Sequence, residues 1–192
     1  MNELQKINNK LGGFSLSDLF TYDPDTGIIR HNPDRPKDSF ETERGYKCWK
    51  SKCSGAVIPQ NKRGYYSATV RVCGIVLRNL YGHRIALGIS GVDIPHGFEV
   101  DHIDGDESNN RLGNLRAVTK QENSRNRATS KNNTSGTTGV HYAKIVCKWR
   151  AAIMVDRKTI GLGDYTNKDD AIKARKAAEV KYGFHENHGR SS

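Results

Sequence analysis

The chain has no apolar run long enough to cross a bilayer and no signal peptide pattern at its start. It carries only four cysteines in 192 residues. The first absence excludes a membrane-spanning helix and argues against a membrane as partner. With no export signal, the expectation is a cytoplasmic, not a secreted, protein, in which the four cysteines form no disulfides. Cys48, Cys53, Cys73 and Cys147 match no common zinc spacing. Cys73 and Cys147 fall in strand-like segments, where a reduced cysteine reads as a small apolar residue. A structural zinc at Cys48 and Cys53, completed by a histidine, is the weaker reading of the first pair. The 35% apolar content supports folding, while a mean hydropathy of −0.74 implies modest cores and long exposed stretches.

Negative charge is also scarce, and unevenly so. Lys and Arg number 31 against 21 Asp and Glu, for a net charge of +10. Between Arg125 and Ile160 eight cations (Arg125, Arg127, Lys131, Lys144, Lys148, Arg150, Arg157 and Lys158) face one anion, Asp156, so +7 of the total sits in that stretch. A local excess of this size points to a polyanionic partner. A solvated basic face would explain scattered lysines better than it explains Arg and Trp interleaved in strands.

Residues 1–13 read as a polar leader. FSLSDLF, from Phe14, predicts a short helix capped by Ser15 or Ser17. The turn residues of Tyr22 to Gly27 lead to a strand around Ile28 and Ile29, and residues 31–56 show no period and read as irregular. Tyr66, Ala68, Val70 and Val72 alternate with Ser67, Thr69, Arg71 and Cys73, as in a half-buried strand. Gly74 supplies a turn and Ile75 to Leu80 the partner strand, with Arg71 and Arg78 on its outer face as candidate phosphate contacts. Tyr81 to Leu87 reads as a short helix. ATSKNNTSGT, 128–137, is polar and aperiodic, and ten flexible residues span roughly 17 Å. It reads as a linker (129–137) between a region at 14–128 and a second at 138–192. In the second, 139–144, 148–155 and 158–165 predict three strands. Thr166 predicts the cap of a helix over 168–181.

The stretch VDHIDGDESNNRLGNLRAVTKQENSRNR, 100–127, concentrates the chemistry. Val100 ends a short strand that would present Asp101 and His102 at its tip. A polar turn follows, then a return strand anchored by Leu112, Leu115 and Val118. Thr119 and Glu122 form a T-x-x-E capping box, so a helix starts at Lys120 and carries Asn123 in its first turn. A carboxylate, an imidazole and the amides of Asn114 and Asn123 in so short a span are what hydrolysis of a phosphodiester requires. Asp104, Asp106 and Ser108 do not form a calcium loop, because Asn109 and Leu115 stand where the turn glycine and the bidentate Glu belong. His31, His83, His96 and His141 lack such company and read as structural or surface residues.

The Asp101–His102 pair, Asn114 in the NL dipeptide and Asn123 at the last motif position resemble the HNH endonucleases. Asparagine at that last position is similar to the homing branch found in phages and mobile introns. TYDPDTGIIRH and YGHRIAL resemble the leader of such enzymes, so the likeness covers roughly 14–128. It implies a ββα-metal core at about 98–128, preceded by a β-hairpin region, and hydrolysis of double-stranded DNA in the host-cell cytoplasm. It further implies that Asp101 and Asn123 ligate Mg²⁺ or Mn²⁺ and that His102 is the general base. A neutral imidazole suits that role near neutral pH, and Asn114 would orient its ring.

The segments GTTGVHYAKIVCKWRAAIMV and GLGDYTNKDDAIKARKAAEVKYG resemble the APETALA-type (ethylene-response-factor) DNA-binding domain. That family implies a three-stranded antiparallel sheet packed on one helix. Lys144, Lys148, Trp149, Arg150, Arg157 and Lys158 would lie on the DNA side, with Trp149 equally readable as core. The expected whole is a two-domain α+β endonuclease acting as a monomer or a homodimer on DNA. The rival is a DNA-binding regulator in which the HNH part is only scaffold.

Overall fold

The computed structural model describes residues 9–125 and 133–184, together with Ile7 and His188. Arg127 and the first part of the predicted linker, 128–132, lie outside the described residues. The chain divides into two compact units, Met1–Lys120 and Gln121–Ser192. Both are mixed α/β with small antiparallel sheets.

The first unit opens with α1 (Leu16–Leu19), capped by Ser15 in a full capping box with Asp18. β1 (Phe20–Tyr22) and β2 (Ile29–His31) pair across the turn at 23–28. α2 (Glu43–Lys52) follows, then a hairpin of β3 (Ser67–Val72) and β4 (Ile75–Tyr81). Ala68, Val70 and Val72 are buried while Arg71 and Arg78 are exposed, as the alternation requires. α3 (Gly82–Ile89), β5 (Phe98–His102) and β6 (Leu115–Thr119) complete the unit. α4 (Lys120–Arg125) begins where the capping-box motif places it. One apolar cluster, with Leu19, Phe20, Ile29, Ile58, Val72 and Ile85 among its buried members, joins α1, α3 and the three small sheets.

In the second unit β7 (Val140–Ala143), β8 (Lys148–Val155) and β9 (Lys158–Tyr165) form one antiparallel sheet in chain order. α5 (Lys168–Lys181) packs on it through Ala171, against Val140 and Ala151. Small residues along that stripe let the helix lie close to the strands. The buried Arg175 adds a polar anchor. It donates to the carbonyl of Ala152 at 2.7 Å and to Glu179 at 3.0 Å, which satisfies the guanidinium inside the unit.

Several expectations need correcting. Residues 31–56 are not irregular, since α2 lies within them, capped by Thr42. Its sequence is cationic, and only Tyr46 and Trp49, at i and i+3, mark an apolar face. The helix is held by Tyr46 and Trp49 packing on Phe40, with the Arg35 guanidinium 4.2 Å from the Phe40 ring centroid. The cap of α5 is Asn167, not Thr166, its side chain accepting from the N–H of Asp169. Cys73 and Cys147 do not sit in strands as apolar residues. Both are exposed in turns with positive φ, 45° and 52°. Cys73 and Gly74, at φ 45° and 81°, form the two-residue turn of the β3–β4 hairpin, whose twist demands left-handed backbone at both positions.

Candidate active site

The pairing of β5 with β6 sets Asp101 opposite Arg116 and His102 opposite Leu115. Both site residues are buried, Asp101 at 7% exposure and His102 at 5%. Arg116 donates twice to the Asp101 carboxylate, from Nε at 3.0 Å and Nη2 at 2.8 Å, and both bonds go to the same oxygen, Oδ2. A cross-strand guanidinium thus fixes the carboxylate at the end of the strand, and Oδ1 is not part of that pair.

His102 stands against an aromatic wall. The ring of His83 meets it edge-on at a centroid distance of 5.3 Å, and Tyr65 lies 6.1 Å away. His83 in turn stacks on Tyr81 at 5.5 Å with 5° between planes. His83 is therefore no isolated surface residue, despite its sequence neighbours. Burial pushes its imidazole down to about 3, helped by repulsion from His102 and Arg84. Its Nδ1 is buried with no hydrogen-bond partner among the described residues. The folded protein then binds fewer protons than the unfolded chain below the ordinary histidine value of 6.5. Stability is full above that pH and is lost as the pH falls below it, by roughly 1.4 kcal/mol per pH unit from this group. Urea unfolding between pH 7 and pH 4 should show that loss in the wild type and a shallower one in His83→Phe. Equal slopes would contradict the assignment.

The loop from Ile103 to Arg111 is organised around Asp104. Its carboxylate accepts from the N–H of Asp106 at 2.9 Å and from the amides of Asn109 at 2.7 Å and Asn114 at 2.9 Å. Burial opposes ionisation of Asp104, but these bonds outweigh it and hold the carboxyl below its ordinary value. Asn114 closes the loop from its far side. Its side-chain oxygen accepts from the N–H of Asp104 at 3.1 Å, and its amide also donates to the carbonyl of Asn109 at 2.8 Å. The Asn114 amide is thus committed to the loop and does not orient the His102 ring, as the resemblance implies. One amide beside the ring is that of Asn110, with Oδ1 3.3 Å from Nε2 of His102.

The turn between β1 and β2 buttresses this loop. The Tyr22 hydroxyl donates to the carbonyl of Asn110 at 2.7 Å, the N–H of Leu112 to Pro24 at 3.1 Å, and Nε of Arg111 to Asp25 at 2.8 Å. Gly27, at φ 75°, lies so close that a Cβ there would stand 2.6 Å from the nitrogen of Arg111. Only glycine permits that approach. This gives TYDPDTG a physical role: it props the loop that carries Asn110 and that Asn114 closes.

Of the remaining predicted residues, Asn123 lies in α4, four positions past the end of β6. Arg125 ends the same helix. Arg71 and Arg78 lie on the β3–β4 hairpin. Lys148 and Arg150 are exposed on β8, Lys144 in the turn before it, and Arg157 and Lys158 at the β8–β9 turn. Arg150 and Asp164 form a two-point ion pair at 2.7 and 2.9 Å. Trp149 lies on the other side of the sheet. It pairs in register with Tyr142 and Tyr165 and packs against the Val140–Ala151–Ala171 cluster. The alternation of β8 makes it a core residue and takes it out of the candidate DNA-facing set.

Among the described residues no group of three or more His, Cys, Asp or Glu side chains could hold a metal ion. The two ligands that the resemblance implies both offer oxygen, Asp101 a carboxylate and Asn123 an amide. That set suits a hard divalent ion, which commonly takes one or two carboxylates and completes its shell with substrate phosphate and water.

Residues 81–125 match the HNH endonuclease family model. Over 65 residues the chain is 43% identical to Protein 3.8 of Escherichia phage T7, a stretch that makes up 34% of this chain and 54% of that protein. The chain therefore spans about half the length of that curated relative. Among solved structures it is similar to the HNH homing endonuclease I-HmuI, from work on DNA binding and cleavage by that enzyme. The identity is 20%, the TM-score 0.39, and the match covers 90% of this chain and 91% of the other. That superposition is too loose to place side chains.

Proposed function

We propose that the protein is a metal-dependent endonuclease of double-stranded DNA, of the HNH homing type. The observation that carries this reading is the buried Asp101–His102 pair at the end of β5, inside the stretch that matches the HNH endonuclease family. His102 takes a proton from water, the hydroxide oxygen bonds to phosphorus, the bond to the 3′ oxygen breaks, and that oxygen takes a proton from solvent water. The products are a 3′-hydroxyl and a 5′-phosphate. Asp101 and Asn123 would hold Mg²⁺ or Mn²⁺. When bound, the ion supplies positive charge against the scissile phosphate and the departing oxygen. Asn114 shapes the loop around Asp104, and Arg116 fixes the orientation of Asp101.

The C-terminal unit is an APETALA-type module that holds the DNA. A three-stranded sheet backed by one helix supports this, as does the row of exposed cations at Lys144, Lys148, Arg150, Arg157 and Lys158. Asp164 holds one edge of the Arg150 guanidinium, through Nε and Nη2, which fixes its pose and leaves Nη1 to donate to a base edge. Arg71, Arg78, Arg125 and Arg127 add phosphate contacts. The protein acts in the cytoplasm of the host cell and takes part in the mobility of its own genetic element. One site per chain suits nicking by a monomer, or double-strand cleavage by a homodimer.

The chemistry of the cut ends tests the reaction. Products cut from a duplex bearing the native target should be religated by DNA ligase without prior phosphatase or kinase treatment. Ends with 3′-phosphate would contradict the proposed bond cleavage.

A further inference from the structure

We propose that Ile145, in the turn between β7 and β8, is an apolar wedge that enters a base step of the bound duplex and kinks it there. The proposal rests on the reading of the second unit as the module that holds DNA. It adds a contact made by apolar surface to one made by charge and hydrogen bonds.

Ala143 pairs with Lys148, which leaves Lys144, Ile145, Val146 and Cys147 as the turn. Such turns ordinarily use glycine, asparagine, aspartate, proline or serine, which tolerate the backbone or bond to it. None of them is here. Cys147 takes a positive φ of 52° although it is not glycine, and two β-branched residues occupy the middle of the turn. Ile145 is 99% exposed and Val146 43%. A side chain as exposed as Ile145 packs on nothing in its own unit, so its whole apolar surface is open to burial by a partner. Single exposed aliphatics are common on protein surfaces. This one differs in standing where turn chemistry calls for a polar residue or glycine.

The turn is also well held. The N–H of Val146 donates to the carbonyl of Ala143 at 3.2 Å and the N–H of Cys147 to that of Lys144 at 3.4 Å, where the Cys147 thiol donates as well. The next pair along the two strands, Tyr142 and Trp149, meets edge-on at 5.3 Å. A turn that is already ordered loses little freedom on binding.

Charge indicates the partner. Lys144 and Lys148, both exposed, flank the apolar pair, and no Asp or Glu occurs from Gly136 to Val155. Lysines beside an isoleucine fit a polyanion that also offers apolar surface, which in duplex DNA is the faces of its bases. A second copy of the same turn would bring like charges together. A lipid surface would bury only one or two side chains, too little apolar area to anchor a protein. On DNA, the cost of unstacking one step is offset by the wider contact that a bent duplex makes with the protein.

The test uses full-length protein in EDTA and the native target duplex labelled at both ends. Anisotropy across a salt series gives affinity, and energy transfer between the ends gives bending. The wild type should bring the ends together as a kink of about 20–90° requires. Ile145→Ser should bind about tenfold more weakly and lose most of the bend at an unchanged salt slope, because it removes apolar surface and no charge. Ile145→Phe, another apolar wedge, should keep both affinity and bend. Lys144→Ala should lose about one unit of slope and keep the bend. Val180, 83% exposed on α5, is the control, and Val180→Ser should bind and bend as the wild type does. A straight duplex under the wild type, full bending by Ile145→Ser, or an equal loss in Val180→Ser overturns this proposal alone. So does a dimer, or binding to vesicles of anionic phospholipid, that depends on Ile145 while Ile145→Ser holds DNA as tightly as the wild type. If truncation after Ser130 leaves affinity and slope unchanged, the second unit does not hold DNA, and this proposal falls with that reading.

Discussion

Alanine at position 102 should abolish cleavage while leaving DNA affinity within about twofold of the wild type. A positioned general base contributes typically 10²–10⁴-fold to a reaction of this kind, and His102 is the imidazole at the tip of β5. It is buried among protein groups, namely Asn110, Tyr65 and His83, so its loss removes little contact with DNA. Asp101→Asn should be equally inactive, and isothermal titration should show that it has lost affinity for Mn²⁺. The asparagine is preferable to alanine at 101. It keeps the shape beside Arg116 and avoids leaving that half-buried guanidinium without an acceptor. Binding by gel shift and cleavage of the same duplex check both variants. Wild-type cleavage by either would remove the assignment.

Truncation after Ser130 should have the second large effect. It removes Lys131, Lys144, Lys148, Arg150, Arg157 and Lys158, six of the eight cations between Arg125 and Ile160. If each neutralises one phosphate, the slope of log affinity against log salt should flatten by up to about five units, and affinity at moderate salt should fall by about 10²–10³-fold. The first unit has its own apolar core, so the shortened chain should still fold. In the full chain, Lys144→Ala and Lys148→Ala should each weaken all sequences alike, with about one unit less slope. Arg150→Ala should cost about 1–3 kcal/mol on the target and much less on random DNA. Fluorescence anisotropy across a salt series, with target and scrambled duplexes, measures all of these. Equal affinities and slopes for truncated and full-length proteins would mean that the second unit does not hold DNA.

What the sequence makes legible follows from the range of the interactions involved. β7, β8 and β9 can be read because period-two alternation and turn residues are local. The start of α4 can be read from Thr119 and Glu122, and the hairpin of β3 and β4 from Val70, Val72 and Gly74. α2 cannot be read that way. Two aromatics, Tyr46 and Trp49, are too short a period to mark a helix, and what holds it is an aromatic cluster completed by Phe40 and Arg35, outside the helix. Trp149 and Arg150 are neighbours in a strand, and only the sheet and the helix behind it decide which of them is core.

At the candidate site the adjacent Asp101 and His102 stand out as a pair, but their surroundings do not. His83 reaches His102 from another element, and nothing in YGHR announces the contact. Asn109 and Asn110 look alike in the sequence, yet one braces Asp104 and the other faces His102. A sharper signal is available in Gly27, since a glycine in TYDPDTG implies a close backbone approach. What approaches it, the loop at Asn110 and Arg111, is visible only in three dimensions.

The most direct test of the central claim is incubation of the full-length protein with supercoiled plasmid carrying its native target, in Mg²⁺ and in EDTA. Nuclease chemistry at Asp101 and His102 predicts conversion to nicked or linear plasmid in Mg²⁺ and none in EDTA. Plasmid that is bound and shifted but left supercoiled in both would contradict it, and would make the protein a DNA-binding regulator built on an HNH scaffold.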